Sequence, residues 1–166
     1  MELYLLRHAI AVEREHFCGE DRERPLTPAG IKKMRRIARG MKAMKLSFDL
    51  ILTSPYERAK DTAALVAERF NVRRHAKVTP ALTPLGDRRE LMRQLAALPR
   101  HVTSVLLVGH EPYLSTLAMT LLNGPTGRLR LKKGGLCKLV VSSARPGRGA
   151  ELEWLLTPRQ LAMLAG

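Results

Sequence analysis

Acidic residues are scarce in this chain: 15 Asp and Glu stand against 29 Lys and Arg, a formal net charge of +14. An excess of that size draws anions, whether phosphates, acidic proteins or nucleic acid. Nucleic acid is not expected, because no RNP, zinc-finger or helix-turn-helix signature accompanies the charge. Aromatic rings for base stacking also make up only 4% of the residues. The same shortage leaves Leu, Val, Ile, Ala and Met to fill the core. Cysteine occurs twice, at Cys18 and Cys137, with no C-x-x-C pair. One disulfide or two thiols would fit that count, and free thiols in a reducing cytoplasm are the expectation. No apolar run approaches the length of about 18 residues that a membrane helix needs. Acidic Glu2 leads straight into an apolar stretch with no cationic region before it, so no signal peptide is expected and the location is read as cytoplasmic.

What the chain does have is a 45% apolar fraction over 166 residues, enough for one domain with a real core, read as residues 1–166. Leu3-Tyr4-Leu5-Leu6 reads as a strand buried on both faces, with Arg7-His8-Ala9 at its end. Residues 10–26 read as a polar loop. Thr27 and Pro28 suit the cap and first turn of a helix, along which Ile31, Met34, Ala38, Met41 and Met44 recur on one face. A second strand over 48–53 runs into Ser54-Pro55-Tyr56-Glu57, with the spacing of a capping box and proline at the first helical position. The helix that follows buries Ala59, Ala63, Val66, Ala67 and Phe70, and it carries Arg58 in its first turn. A cation is not favoured at a helix N-terminus, so an arginine there makes sense with an anion bound beside it. A short strand at 77–79, a helix over 88–98 and a strong strand over 102–108 follow. Gly109-His110-Glu111-Pro112 then opens another helix. Strands over 135–142 and 150–156, joined by a turn at 145–149, and a short helix from Thr157-Pro158 complete the chain.

This order predicts a three-layer α/β/α fold with a mostly parallel central sheet and helices on both faces. Ligands of such sheets bind at the carboxyl ends of the strands. Three strand-to-helix junctions deliver Arg7, His8, Arg58 and His110 to that one edge. Arginine forks match phosphate oxygens, and helix N-termini add backbone donors, so the set suits a phosphoryl group. His16, His75 and His101 lie in polar surroundings and read as surface residues. Two histidines without clustered carboxylates or cysteines make a poor divalent site, so no metal and no cofactor are expected.

These motifs resemble the histidine phosphatase superfamily, with its phosphoglycerate-mutase-like fold. Arg7-His8-Ala9 matches its Arg-His-Gly, and Ser54 to Thr62 matches its Ser-x-x-x-Arg-Ala-x-x-Thr. Gly109-His110 matches its late Gly-His, and Leu26 to Gly30 its Leu-Thr-x-x-Gly. Among members the chain is most similar to the short bacterial protein phosphohistidine phosphatases of the SixA type, through Arg24 to Thr27 and Leu82 to Asp87. The likeness covers most of the chain to about residue 123. Ala9 departs from the usual glycine, and Asp61 stands where many members have Gln; either is expected to tune binding.

The resemblance implies that His8 is a nucleophile forming a phosphohistidine intermediate that water hydrolyses. Arg7, Arg58 and His110 would hold the phosphoryl oxygens, and Arg24 would add a contact. Larger members supply a proton-donating acid from a segment that is short here, where Asp87 and Glu90 are the candidates. Both stand beside arginines that would keep them ionised. Phosphohistidine has a leaving group that tolerates a missing acid. The substrate is therefore expected to be phosphohistidine on a signalling protein, with a small phosphate ester such as a sugar phosphate or nucleotide as the alternative. A non-catalytic basic phosphate-binding module is the other function class. No membrane partner is expected.

Overall fold

The computed structural model of the chain describes residues 1–142 and 149–166. Strands β1 (Glu2–Arg7), β2 (Leu50–Thr53), β3 (Ala76–Val78), β4 (Ser104–Gly109), β5 (Leu136–Val141) and β6 (Ala150–Leu156) form one sheet in the order β3-β2-β4-β1-β5-β6. The pairs β3/β2, β2/β4 and β4/β1 are parallel, while β5 lies antiparallel to both β1 and β6. Among the described residues five α-helices accompany them: α1 (Pro28–Ala43), α2 (Glu57–Phe70), α3 (Arg88–Ala96), α4 (Tyr113–Leu121) and α5 (Pro158–Met163). Of the turn expected at 145–149, residues 145–148 lie outside the described residues.

Strand alternation sorts the core into two layers. Leu3 and Leu5 of β1 join Val105 and Leu107 of β4 against Leu91 of α3 and Leu114 and Leu117 of α4. Tyr4 and Leu6 point the other way, with Leu106 and Val108, onto Met34 and Ile37 of α1 and Val66 of α2. This is the three-layer α/β/α arrangement, and burying each of these large side chains contributes about 1.5–3 kcal/mol. β1 and β4 are covered on both faces, which is why they read as unbroken apolar runs.

Local chemistry sets the boundaries. Thr27 Oγ1 accepts from Gly30 N at 2.9 Å and Pro28 occupies the first turn of α1, as the sequence predicts. A Cβ on Gly30 would come within 2.1 Å of the Ile10 carbonyl oxygen, so glycine here allows α1 to start against the preceding loop. Strands β2 and β4 begin two residues later than expected. The carboxylate of Asp49 accepts from Thr103 N at 2.8 Å and Ser104 N at 2.9 Å, adding a side-chain clamp between the two strand starts to the backbone bond from Asp49 N to Ser104 O. Cys18 is exposed and Cys137 buried, and both are free thiols. Among the described residues no helix is long and apolar enough to cross a membrane.

Candidate active site

The register of β1 on β4 brings two residues far apart in sequence together. Arg7 is opposite Gly109, so the next residue on each strand, His8 and His110, emerges at the same carboxyl edge. His8 N–H donates to Gly109 O at 3.0 Å, and the two imidazole centroids are 5.1 Å apart. His8 Nδ1 lies 2.8 Å from the carbonyl oxygen of Ala9. A carbonyl can only accept, so Nδ1 carries the proton and the lone pair is on Nε2. Burial, with the charges of Arg58, Arg7 and Lys133 added, pushes the His8 pKa down to about 3. His110 is likewise pushed down to about 3, by burial first and then by His8 and Arg58. Both rings are neutral at physiological pH.

Helix α2 supplies the third side of the site through the three polar residues of its motif. Ser54 does not cap the helix in the expected way: α2 starts at Glu57, after an N-cap Tyr56 that makes no side-chain cap bond. Ser54 Oγ accepts instead from Tyr56 N at 3.3 Å and lies 2.8 Å from His110 Nε2. Arg58 is only 4% exposed. Thr62 Oγ1 accepts from Ala9 N at 3.0 Å and donates to Arg58 O at 2.6 Å, tying the helix to the turn that carries His8. Tyr56 stands between Arg58 and His110, with its ring 4.9 Å from the guanidinium and 5.0 Å from the imidazole.

Arg7 is held from the opposite side. Its Nη1 donates to Leu131 O at 2.9 Å, and Gly134 N reaches the carbonyls of Arg7 and His8 at 3.1 and 3.2 Å. Gly134 has φ of +80°, a conformation that favours glycine. Among the described residues three buried nitrogens of these side chains have no hydrogen-bond partner: Arg7 Nε, Arg58 Nε and His110 Nδ1. Buried donors of this kind are rarely left unpaired, so they mark where an anion belongs.

Asp21 brings a carboxylate into the site. Arg58 donates to Asp21 O at 2.6 Å and to Asp21 Oδ2 at 2.9 Å, and Arg24 Nε donates to Asp21 Oδ1 at 2.8 Å. Burial works to raise the Asp21 pKa, but the hydrogen bonds and charges of Arg58 and Arg24 outweigh it and hold the carboxyl below its usual range. Arg24 also donates to Val12 O at 2.6 Å. It thus reaches the site through Asp21, with Nε and Nη1 already engaged.

The other expected residues stand elsewhere. Asp87 caps α3, accepting from Arg89 N at 2.8 Å, and Glu90 is committed to Gln94 and Arg93. Asp87 lines a cleft with Pro112 and Tyr113. Asp61 faces away from the imidazoles, in a groove with Ile31, Arg35 and Arg73, and its pKa is raised by burial. Ala9 contributes its carbonyl and N–H to the site while its side chain is buried in the α1/α2 layer. His16, His75 and His101 are exposed, as expected. Among the described residues no group of three or more His, Cys, Asp or Glu is placed to hold a metal. Sequence reasoning missed Asp21, Tyr56 and the part played by Ser54. The motif spacing contained Ser54, whereas nothing local distinguishes Asp21 from its acidic neighbours Glu20 and Glu23.

A family model for the histidine phosphatase superfamily (branch 1) matches residues 3–84. An uncharacterised protein of Picosynechococcus sp. is 38% identical over 150 residues, covering 87% of this chain and 88% of that protein. The phosphohistidine phosphatase SixA of Escherichia coli K12 is 34% identical over 127 residues, covering 76% of this chain and 77% of its own length. The structure of the protein histidine phosphatase SixA complexed with tungstate superposes with a TM-score of 0.84 and 29% identity, over 97% of this chain and 99% of that one.

Proposed function

This chain belongs to the histidine phosphatase superfamily (branch 1), and from that premise we propose that it hydrolyses phosphohistidine on a protein through a phosphoenzyme at His8. The observation carrying the reading is the orientation of His8. Its Nδ1–H is anchored on Ala9 O, and its lone pair at Nε2 shares an edge with the unpartnered Nε atoms of Arg7 and Arg58 and Nδ1 of His110. The chemistry follows in two displacements. His8 Nε2 attacks phosphorus as the substrate P–N bond breaks, and that electron pair stays with a leaving imidazole protonated on its distal nitrogen, which departs neutral. His8 becomes a phosphoimidazolium whose Nδ1–H remains on Ala9 O. Water then attacks phosphorus, the P–Nε2 bond breaks and its electron pair returns to His8 Nε2, and both water protons stay on the departing phosphate, which leaves as dihydrogen phosphate. Arg7, Arg58 and His110 stabilise the equatorial oxygens in both steps.

The substrate class is supported by the carboxylates around the site. Asp21 is held ionised between two arginines, so it has no proton to give a leaving alkoxide. Glu111 is committed to Leu131 N and Ser115 Oγ, and Asp87 and Glu90 are engaged on α3. A phosphohistidine leaving group needs no such donor, whereas a sugar or serine ester does. Para-nitrophenyl phosphate, whose leaving group is also weakly basic, serves as a second probe. Wild-type protein mixed with a phosphohistidine protein domain should give an acid-labile phosphoenzyme and release phosphate with kcat/KM far above that for sugar phosphates or phosphoserine peptides. His8→Ala should abolish the phosphoenzyme and turnover while keeping the fold. Comparable turnover in that variant rules out His8 as nucleophile, and a preference for alkyl esters overturns the substrate.

A further inference from the structure

Beside the edge that carries the two histidines lies a cleft of about 450 Å3, which shares Arg7 with that edge. Four cations, Lys33, Arg130, Lys132 and Lys133, surround Arg7 there over an apolar floor at Ile10. Lys33 comes from the first turns of α1, and the other three from the loop before β5.

This loop is pinned rather than draped. Leu131 is fully buried; its carbonyl takes Arg7 Nη1 at 2.9 Å and its N–H reaches Glu111 Oε1 at 3.0 Å. With Leu131 turned inward, its neighbours Arg130 and Lys132 are exposed at the mouth of the site. Gly134, bonded to the carbonyls of Arg7 and His8, fastens the other end. The charges are felt within: Arg130 acts on Arg7, and Lys133 on His8.

Lys133 has a partner in Glu13, at 2.9 Å. Lys33, Arg130 and Lys132 make no ion pair among the described residues. Gathering like charges on a fixed scaffold without counter-charge is unfavourable, and an arriving anion relieves it. The unpaired donors are spread over two elements and two of the three are lysines, Lys33 on α1 and Lys132 in the loop, point charges without the rigid fork that selects one phosphate. They suit several carboxylates on an extended surface better than a single compact group. The basic face also continues along α1 through Lys32, Arg36 and Arg39.

We infer that Lys33, Arg130 and Lys132 form a subsite for the carboxylates flanking the phosphorylated residue of an acidic protein segment. The inference rests on the phosphatase reading of the adjoining pocket and gives its protein substrate a chemical signature.

The test uses two phosphohistidine peptides alike except that one has glutamates within a few residues of the phosphohistidine and the other glutamines. Wild-type protein should favour the acidic peptide by about tenfold or more in kcat/KM, mostly through KM, equivalent to about 1.4 kcal/mol. The preference should collapse on going from about 50 mM to about 0.5 M salt, where the screening length falls to a few ångströms. The triple variant Lys33→Gln/Arg130→Gln/Lys132→Gln should lose the preference between the peptides. Equal kcat/KM for the two peptides in wild type overturns the inference, and so does a preference that survives salt or the triple substitution. Turnover of para-nitrophenyl phosphate without turnover of either peptide also overturns it, while leaving the phosphatase reading standing. A wild-type protein inert towards all three probes overturns both.

Discussion

Asp21 places a negative charge where a negative substrate must arrive. Its carboxylate and its carbonyl take both terminal nitrogens of Arg58, so an incoming phosphoryl group meets Arg58 through Nε and competes with Asp21 for the rest. The Asp21 side chain is 43% exposed, so solvent screens the repulsion to about 0.5–1 kcal/mol. Asp21→Asn should therefore tighten inhibition by inorganic phosphate about two- to fivefold. Competitive inhibition constants for the two proteins measure this. Weaker inhibition in the variant would mean that the carboxylate serves to aim Arg58 and does not compete. Arg7, His8, Arg58 and His110 were legible in the sequence because each sits at a strand end or helix start marked by Gly, Pro or an apolar run. Asp21 was not, because it meets Arg58 only when the loop over residues 10–26 folds back across 37 positions.

Between elements, Thr62 joins α2 to the turn after β1. It is fully buried, and its hydroxyl satisfies both Ala9 N–H and Arg58 C=O. Thr62→Val keeps the shape but leaves the Ala9 N–H buried and unpaired, which should destabilise the fold by about 1–3 kcal/mol. A urea midpoint unchanged from wild type would show that the bond is dispensable. Turnover should fall with stability, because the carbonyl that fixes the His8 tautomer belongs to the same Ala9. Elements were mostly legible because apolar periodicity and Pro/Thr starts marked them. Where the reading slipped, a distant partner had taken a local group. Ser54 turned to His110, so α2 starts at Glu57, and Asp49 turned to Thr103 and Ser104, so β2 and β4 start late.

For the whole molecule, the three layers followed from the alternation of strands and helices, but the strand order did not. Nothing in β1 itself states that its neighbours are β4 and β5; the register depends on contacts made across the full sheet. The two imidazoles buried at the sheet's carboxyl edge link stability to pH. Their folded pKa values of about 3 lie below the ordinary 6.5, so the unfolded chain binds more protons between those limits. Stability is then fully present above about pH 6.5 and declines as pH falls through the window towards about 3. Melting temperatures should be lower at about pH 5 than at about pH 7.5, a range in which Asp21, Asp49 and Glu2, with their lowered pKa values, stay ionised. His110→Gln should flatten that slope. A melting temperature indifferent to pH over this range would contradict the buried neutral pair.

The central place of β1 also bears on how the chain is made. Its partner β4 pairs Leu3 with Val105, and β5 pairs Leu3 with Leu139, so both long edges of the strand wait for residues synthesised much later. At about 5–20 residues per second, the interval before β4 emerges is roughly 5–20 s. Throughout it Leu3-Tyr4-Leu5-Leu6 is an apolar strand with two open edges, the kind of segment that other nascent chains and chaperones engage. His8 is thus synthesised well before the strands β4 and β5 that complete its pocket.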